Sequence, residues 1–309
     1  MIKKTIRIAT RKSPLALWQA NHVRELLTTQ WPDIRIDLLP LVTSGDKFLK
    51  DKLLEIGGKG LFVKELEEAL LDQRADIAVH STKDVPAVFP DGLSLPVICK
   101  RDNPLDALVS EHFSSLDELP QQAIVGTSSL RRQSQILAYR PDLCIKPLRG
   151  NIHTRLEKLK SGEYQAIVLA ASGLERMGLG HLITQHLSDT IMLPACGQGA
   201  LSIECRTDDL ETKNLIAGLN DSTSSLCVGI ERQVNARLGG NCHVPIAIYC
   251  SVTPSVELHL RAKIGTLDGS SFIHDNRTGK IDQAHQLAEQ CSQSLLDQGA
   301  AELLDSIPK

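Results

Sequence analysis

Residues 101–104, Arg-Asp-Asn-Pro, and residues 193–199, Leu-Pro-Ala-Cys-Gly-Gln-Gly, decide the fold. Each interrupts a run of alternating strand and helix patterns with residues that stop regular structure. Before the first break, Ile6 and Ile8 lie in a short β-like run. Ser13-Pro14 reads as an N-cap followed by proline at the first helical position, and Ala16, Ala20, Val23 and Leu27 recur behind it at helical spacing. Ile34, Ile36 and Leu38 alternate as a strand does. Phe62, Leu66, Ala69 and Leu70 mark a second helix, and Asp76 to Val79 is a buried strand ending in His80-Ser81. Between the breaks the pattern predicts a strand at Ile124-Val125, a helix from Leu130, a strand over Leu143–Ile145, a helix from Thr154 and a strand over Ala166–Ala170. Another strand follows the second break, at Leu201–Glu204. Strands alternating with helices predict βαβ units and mostly parallel sheets. Two breaks predict one α/β lobe inserted into another, with a hinge and a ligand-binding cleft.

From Ser222 the character changes. A helical stretch runs to Leu238 and ends at Gly239-Gly240, as at a helix C-cap. Runs at Val244–Val252, Val256–Ile264 and Ser271–His274 read as antiparallel strands with Asp268-Gly269 as a hairpin turn, and a helix spans Asp282–Leu296. The expected organisation is therefore a discontinuous first domain (residues 1–100 and 200–220), an inserted arginine-rich second domain (101–199) and a smaller α+β third domain (221–309).

Composition narrows the function. In 309 residues, 42% are hydrophobic and 23% charged, as in an ordinary globular protein. Aromatics at 3% leave little material for base stacking, and 34 Lys plus Arg against 37 Asp plus Glu exclude a globally basic nucleic-acid binder. The start, MIKKTIRIATRKS, has no apolar signal-peptide core, and the longest apolar run, Ala166–Ala171, is far short of the roughly 20 residues that span a bilayer. Eight scattered cysteines include no CxxC pair, which removes zinc-ribbon and dithiol readings and predicts buried thiols. The expectation is a cytoplasmic protein, monomeric, with no metal, membrane or nucleic-acid partner.

Charge placement points to the chemistry. Residues 123–160 hold Arg131, Arg132, Arg140, Lys146, Arg149, Arg155, Lys158 and Lys160 against Asp142 and Glu157, a local charge of +6 in a chain of net −3. Arg131 and Arg132 follow Gly126-Thr127-Ser128-Ser129-Leu130 where a strand turns into a helix, and Arg149 precedes Gly150-Asn151 at a second such turn. Arg11-Lys12-Ser13-Pro14 repeats the arrangement at the first helix. Hydroxyls and amides at a helix N-terminus favour anions, and guanidinium forks grip carboxylate or phosphate in two places. Any one segment is equally compatible with a solvated basic face and ordinary caps. The connection from Thr43 through Gly57-Gly58-Lys59-Gly60 reads either as a lid or as a plain surface loop, and it lacks P-loop spacing. Asp84, in His80-Ser-Thr-Lys-Asp-Val-Pro86, is a candidate for acid–base or cation-stabilising work with Lys83 beside it, although aspartate before Val-Pro is also common turn chemistry. Cys242, between Gly239-Gly240-Asn241 and His243-Val-Pro, is a loop thiol beside histidine, hence a candidate nucleophile or attachment point. Two other classes fit parts of this pattern. An anion-binding sensory protein would need neither Asp84 nor the loop thiol, and a phosphoryl-transfer enzyme lacks its P-loop.

Taken together, Ile8–Ala16, Gly57–Leu66, His80–Pro86, Val125–Gln133, Leu148–Asn151 with Thr154-Arg155, Gly197–Ala200 and Cys242–Pro245 closely resemble the porphobilinogen deaminase family, in family order and spacing along the whole chain. The resemblance implies two lobes like those of periplasmic binding proteins and a third domain carrying a cofactor loop. It implies a transferase that condenses four porphobilinogen molecules head to tail into hydroxymethylbilane with loss of ammonia, primed on a dipyrromethane cofactor. That cofactor would be joined by thioether to Cys242, with Asp84 catalytic. By the same resemblance, Lys83, Asp84, Thr127, Ser129, Arg131 and Arg132 serve the cofactor, and Arg11, Ser13, Gln19, Lys59, Arg149, Arg155 and Arg176 serve the substrate. Glu55, Asn241 and Ser44 depart from the family pattern: bacterial members frequently carry lysine at the first, glycine often stands at the second, and some members carry arginine at the third.

Overall fold

The computed structural model describes residues 5–44, 63–240 and 244–307. Its contacts divide into two units: residues 1–102 with 200–225, and residues 103–199 with 226–309.

The first unit is built on five strands: β1 (Thr5–Arg11), β2 (Arg35–Leu41), β3 (Ile77–Ser81), β4 (Leu93–Ile98) and β10 (Leu201–Arg206). They form one sheet in the order β2-β1-β3-β10-β4. β2, β1 and β3 run parallel, whereas β10 is antiparallel to both β3 and β4. Helix α1 (Pro14–Gln30) covers one face, burying Ala20, Val23 and Leu27 against Ile6, Ile8, Ile77, Val79 and Ile203. Helix α2 (Lys64–Leu71) covers the other, where Leu66, Ala69 and Leu70 meet Ala9 and Ala78. Alternate residues of β3 thus serve opposite cores, as a strand buried on both faces requires.

The second unit repeats the plan with β5 (Asp106–Val109), β6 (Ile124–Gly126), β7 (Cys144–Lys146), β8 (Ala166–Ala170) and β9 (Gln185–Leu187). Their order in the sheet is β7-β6-β8-β5-β9. Helices α3 (Leu130–Tyr139), α4 (Ile152–Lys160) and α5 (Ala171–Arg176) follow β6, β7 and β8. Beyond α6 (Leu210–Ile216), which belongs to the first unit, α7 (Ser222–Arg237) leads into an antiparallel sheet of β11 (Ile246–Val252), β12 (Leu258–Gly265) and β13 (Phe272–Gly279). With α8 (Ala284–Asp297) and α9 (Ala300–Asp305) it encloses a core of Ile230, Val234, Ile248, Leu260, Ala288 and Leu295.

The expectation of α/β lobes with a smaller α+β domain holds, with one correction to the sheets. Each five-stranded sheet is mixed: four strands run one way and one, β10 or β5, runs the other between two of them. The reversal follows from the two sequence breaks. The chain passes into the second unit at β5, whose first residue Asp106 pairs with Ala170 at the end of β8. It returns at β10, whose first residue Leu201 pairs with Ser81 at the end of β3. Each crossing therefore delivers the chain to the carboxyl ends of the parallel strands, and a strand that starts there can only run the other way. β4 escaped the sequence pattern because Pro96 sits inside it, tolerable because β4 is an edge strand. Val256 belongs to a turn with φ 61°, not to the strand read from the sequence, and β12 starts at Leu258. The helix expected from Thr154 begins at Ile152, because Asn151 rather than Thr154 ends the turn. Of the described cysteines, Cys144 and Cys196 are only half-buried, and the other five are buried thiols. No helix among the described residues is long and apolar enough to cross a membrane.

Between β3, β10 and α2 the core is polar. His80 Nε2 and Glu204 Oε2 form a 2.8 Å hydrogen bond, and Glu67 lies buried on α2. Burial, reinforced by repulsion from Glu204 and opposed by His80, pushes the Glu67 carboxyl from 4.5 up to about 7. A carboxyl whose folded pKa lies above its unfolded value stabilises the fold while protonated. That contribution is complete below about pH 4.5 and drains as pH rises through 7. Glu67→Gln should therefore raise stability at pH 8 by roughly 1–3 kcal/mol and leave it nearly unchanged at pH 4.5. Urea midpoints at the two pH values measure this; an equal offset at both would contradict it.

Candidate functional site

The candidate residues stand at the carboxyl ends of parallel strands, in each unit separately, where open α/β sheets hold ligands. In the first unit β1 ends at Arg11, and two residues later Ser13 caps α1, its Oγ accepting from the Ala16 amide at 3.3 Å with Pro14 behind it. The cap leaves the Ser13 hydroxyl proton to donate elsewhere. Gln19, one turn further and 3% exposed, donates from Nε2 to Ser81 Oγ at 2.8 Å. β3 then closes into the short helical turn Thr82–Asp84. The Thr82 amide and hydroxyl both donate to the Ala200 carbonyl at 3.1 Å, and the Val85 amide bonds back to Thr82 O. Lys83 and Asp84 are half-buried on this turn. Among the described residues the Asp84 carboxylate has no hydrogen-bond or ion-pair partner, and it stands on a backbone anchored by the turn.

In the second unit β6 ends at Gly126, and Thr127 and Ser129 lead into α3. Ser129 is the N-cap: its hydroxyl accepts from the Arg132 amide at 3.4 Å, while Thr127 Oγ1 accepts from the Ser129 amide at 3.2 Å. Arg131 and Arg132 turn inward, 4% and 7% exposed, onto the fully buried Asp106. Arg131 donates from Nη1 to Asp106 Oδ2 at 2.8 Å and to Leu193 O at 2.7 Å, and from Nη2 to Asp106 Oδ1 at 3.2 Å. Arg132 donates from Nε to Asp106 Oδ1 at 2.9 Å and from Nη1 to Val168 O at 3.0 Å. The two forks therefore grip a protein carboxylate, and their contribution at the N-terminus of α3 is positive potential from below.

Arg149 follows the end of β7 half-buried, with no hydrogen-bond or ion-pair partner among the described residues. Gly150 after it has φ +116° and would place a Cβ 2.8 Å from Thr154 Cγ2, so the turn requires glycine. Asn151 caps α4 through Oδ1 to the Thr154 amide at 3.0 Å, and Arg155 Nε folds back to Gly150 O at 2.7 Å. Arg176, ending α5 and 8% exposed, donates from Nη2 to Gly199 O at 2.7 Å. Cys242, Lys59, Glu55 and Asn241, with most of the expected lid, lie outside the described residues. Ser44 donates its amide and hydroxyl to Glu65 Oε1 at 2.7 and 2.5 Å.

Sequence reading missed Asp106 and Gln198. Gln198 donates to Pro104 O at 2.7 Å and lies 3.5 Å from Arg131 through Oε1, tying the two chain crossovers together. The available signal was the lone acid opening the apolar run Asp106-Ala-Leu-Val109, since a buried charge needs a partner.

The donor set suits a ligand rich in carboxylates. The hydroxyls of Thr127 and Ser129 stand at the N-terminus of a ten-residue helix over two guanidiniums, with Arg149 available beyond. The comparisons with known proteins show the family. The family model described as "Porphobilinogen deaminase, dipyromethane cofactor binding domain" matches residues 6–214, and the family's C-terminal domain matches residues 225–297. The porphobilinogen deaminases of Legionella pneumophila strains Paris and Lens are 69% and 68% identical over 308 residues, covering 100% of each chain. Among solved structures, the methionine binding protein MetQ is similar with a TM-score of 0.43 at 14% identity, covering 75% of this chain and 94% of that one. A periplasmic substrate-binding protein from Coxiella burnetii also has a TM-score of 0.43, at 12% identity, over 71% and 95% of the two chains. By its full-length relatives and by a family model that matches well over half of it, this chain belongs to the porphobilinogen deaminase family.

Proposed function

We propose that the residues described above divide the work of a polymerising transferase among a carboxylate-holding lobe, a proton-exchanging turn and an attachment loop. The enzyme condenses four porphobilinogen molecules into linear hydroxymethylbilane, releasing one ammonia per unit, on a dipyrromethane primer. When bound, the dipyrromethane supplies the nucleophilic pyrrole α-carbon from which the chain grows. Cys242 is the proposed point of attachment. Thr127, Ser129, Arg131, Arg132 and Lys83 are assigned to its acetate and propionate groups. Arg149, Arg155 and Arg176 from the second unit, with Arg11, Ser13, Gln19 and Lys59 from the first, are assigned to porphobilinogen and the growing chain. Guanidinium is the suitable cation, because it stays charged and meets a carboxylate in two places. The three-domain division at residues 100, 200 and 220 and a cytoplasmic, monomeric state belong to the same proposal, and sedimentation of the purified protein checks the last.

The single observation that carries the catalytic part is Asp84: a half-buried carboxylate with no partner among the described residues, on a turn anchored by Thr82 and Val85. Departure of ammonia from porphobilinogen puts positive charge on its pyrrole nitrogen; the α-carbon of the chain's terminal ring attacks the methylene so formed, and that attacking ring then loses its α-proton to restore its aromaticity. A fixed carboxylate answers both needs, stabilising the nitrogen cation and exchanging the proton.

Two outcomes follow. Asp84→Asn, supplied with preassembled cofactor, should fold yet lose about 10² to 10⁴ in turnover, whereas Asp84→Glu should keep a small measurable rate. Near-normal turnover of the Asn variant by product absorbance would remove Asp84 from the chemistry. For the arginines, replacing Arg131 or Arg132 should leave apo-protein, whereas replacing Arg149 should leave the cofactor in place and stall elongation. Native mass spectra showing the same occupancy and the same intermediates in both classes would refute that division.

A further inference from the structure

The end of β3 is held from both faces of its sheet. Toward α1, Ser81 takes the Gln19 hydrogen bond; toward α2, His80 Nε2 meets Glu204 Oε2 at 2.8 Å, with the two side chains 4% and 1% exposed. Glu204 belongs to β10, in the register that sets His80 opposite Ser202 and Ser81 opposite Leu201. That register delivers the Ala200 carbonyl to both donors of Thr82. Three residues lie between His80 and Asp84: Ser81 takes the Gln19 bond, Thr82 donates to the Ala200 carbonyl, and Lys83 lies in the turn that Thr82 begins.

As packing, the cluster is poor. Glu204 Oε1 and Ser202 Oγ are buried with no hydrogen-bond partner, and Glu67 is a second buried carboxyl beside the first. Apolar side chains of the same volume would fill such a site at no loss of stability, because desolvation offsets most of what a buried ion pair gains. A hydrogen bond differs from apolar contact in being directional. It fixes how far β3 slides along β10, and apolar packing tolerates small slides. We propose that the His80–Glu204 pair is a positioning element for Asp84, holding the strand end so that the carboxylate stays where protons are exchanged. This rests on the reading of Asp84 as the catalytic carboxylate.

The experiment uses holoenzyme and expresses rates per loaded molecule. The apolar pair His80→Phe with Glu204→Leu should retain cofactor by intact mass, melt no lower than the parent and keep KM within about twofold. Its kcat should fall roughly tenfold to a hundredfold, the scale expected for a misplaced reacting group. Glu204→Gln keeps the shape and an acceptor oxygen, and should recover most of the rate, ending two- to fivefold below the parent. In an Asp84→Asn background the apolar pair should cost less than twofold more, since it acts through the missing carboxylate. Unchanged kcat in the apolar pair, a change in KM alone, or the full loss repeated in the Asp84→Asn background would each overturn the proposal. If the apolar pair yields no folded holoenzyme, Glu204→Gln decides alone, and parental kcat there overturns it. Normal turnover of Asp84→Asn by itself is a separate failure, of the Asp84 reading and not of the positioning pair.

Discussion

Asp106 is the interaction on which the second unit turns. One fully buried carboxylate receives both Arg131 and Arg132, and the same arginines reach the carbonyls of Leu193 and Val168. Removing Asp106 would leave two guanidiniums buried without their anion, a change that typically costs about 3–5 kcal/mol. Its position is equally constrained. As the first residue of β5, it lies where the chain passes into the unit, opposite the end of β8. The crossover, the arginines and the N-terminus of α3 are thereby fixed by one group, and the positive potential offered to an anionic ligand comes from side chains already immobilised. Under the proposed assignment of this helix end to ligand carboxylates, little ordering remains to be done on binding.

The first unit solves a different problem with the same topology. Its reversed strand β10 begins beside the end of β3 and supplies the carbonyl that anchors Thr82. Where the second unit sets Arg131, Arg132 and Arg149 near the ends of its strands, this one sets Asp84 beside Lys83 on a stiff turn. The separation suits a reaction in which carboxylates must be held firmly while one pyrrole carbon and one nitrogen exchange protons. Had Asp84 been paired to a neighbouring arginine, its charge would already be neutralised in the resting enzyme.

Local chemistry was legible in the sequence, and long-range pairing was not. Ser13-Pro14 announced the start of α1, Leu130 opened α3 as expected, and Ala166–Ala170 matches β8 at both ends. Each of these depends on neighbours within a turn or on strand periodicity. The reversed direction of β5 and β10 was not legible, because direction is set by where the chain rejoins a sheet, which no local pattern encodes. For the same reason Arg131 and Arg132 were legible as cations near a helix start but not as partners of Asp106, about 25 positions away on another strand. His80 and Glu204 are 124 positions apart and meet only through the β3–β10 register. The role implied for Cys242 came from the resemblance of its loop to the family, and its surroundings lie outside the described residues.

Everything proposed for the arginines and for Asp84 depends on this chain carrying its own covalent primer. Intact mass of the purified protein measures that directly. The expected result is a species heavier than the 309-residue chain by two linked pyrroles, with loss of that increment in Cys242→Ser. Fully active protein at the unmodified mass would contradict it.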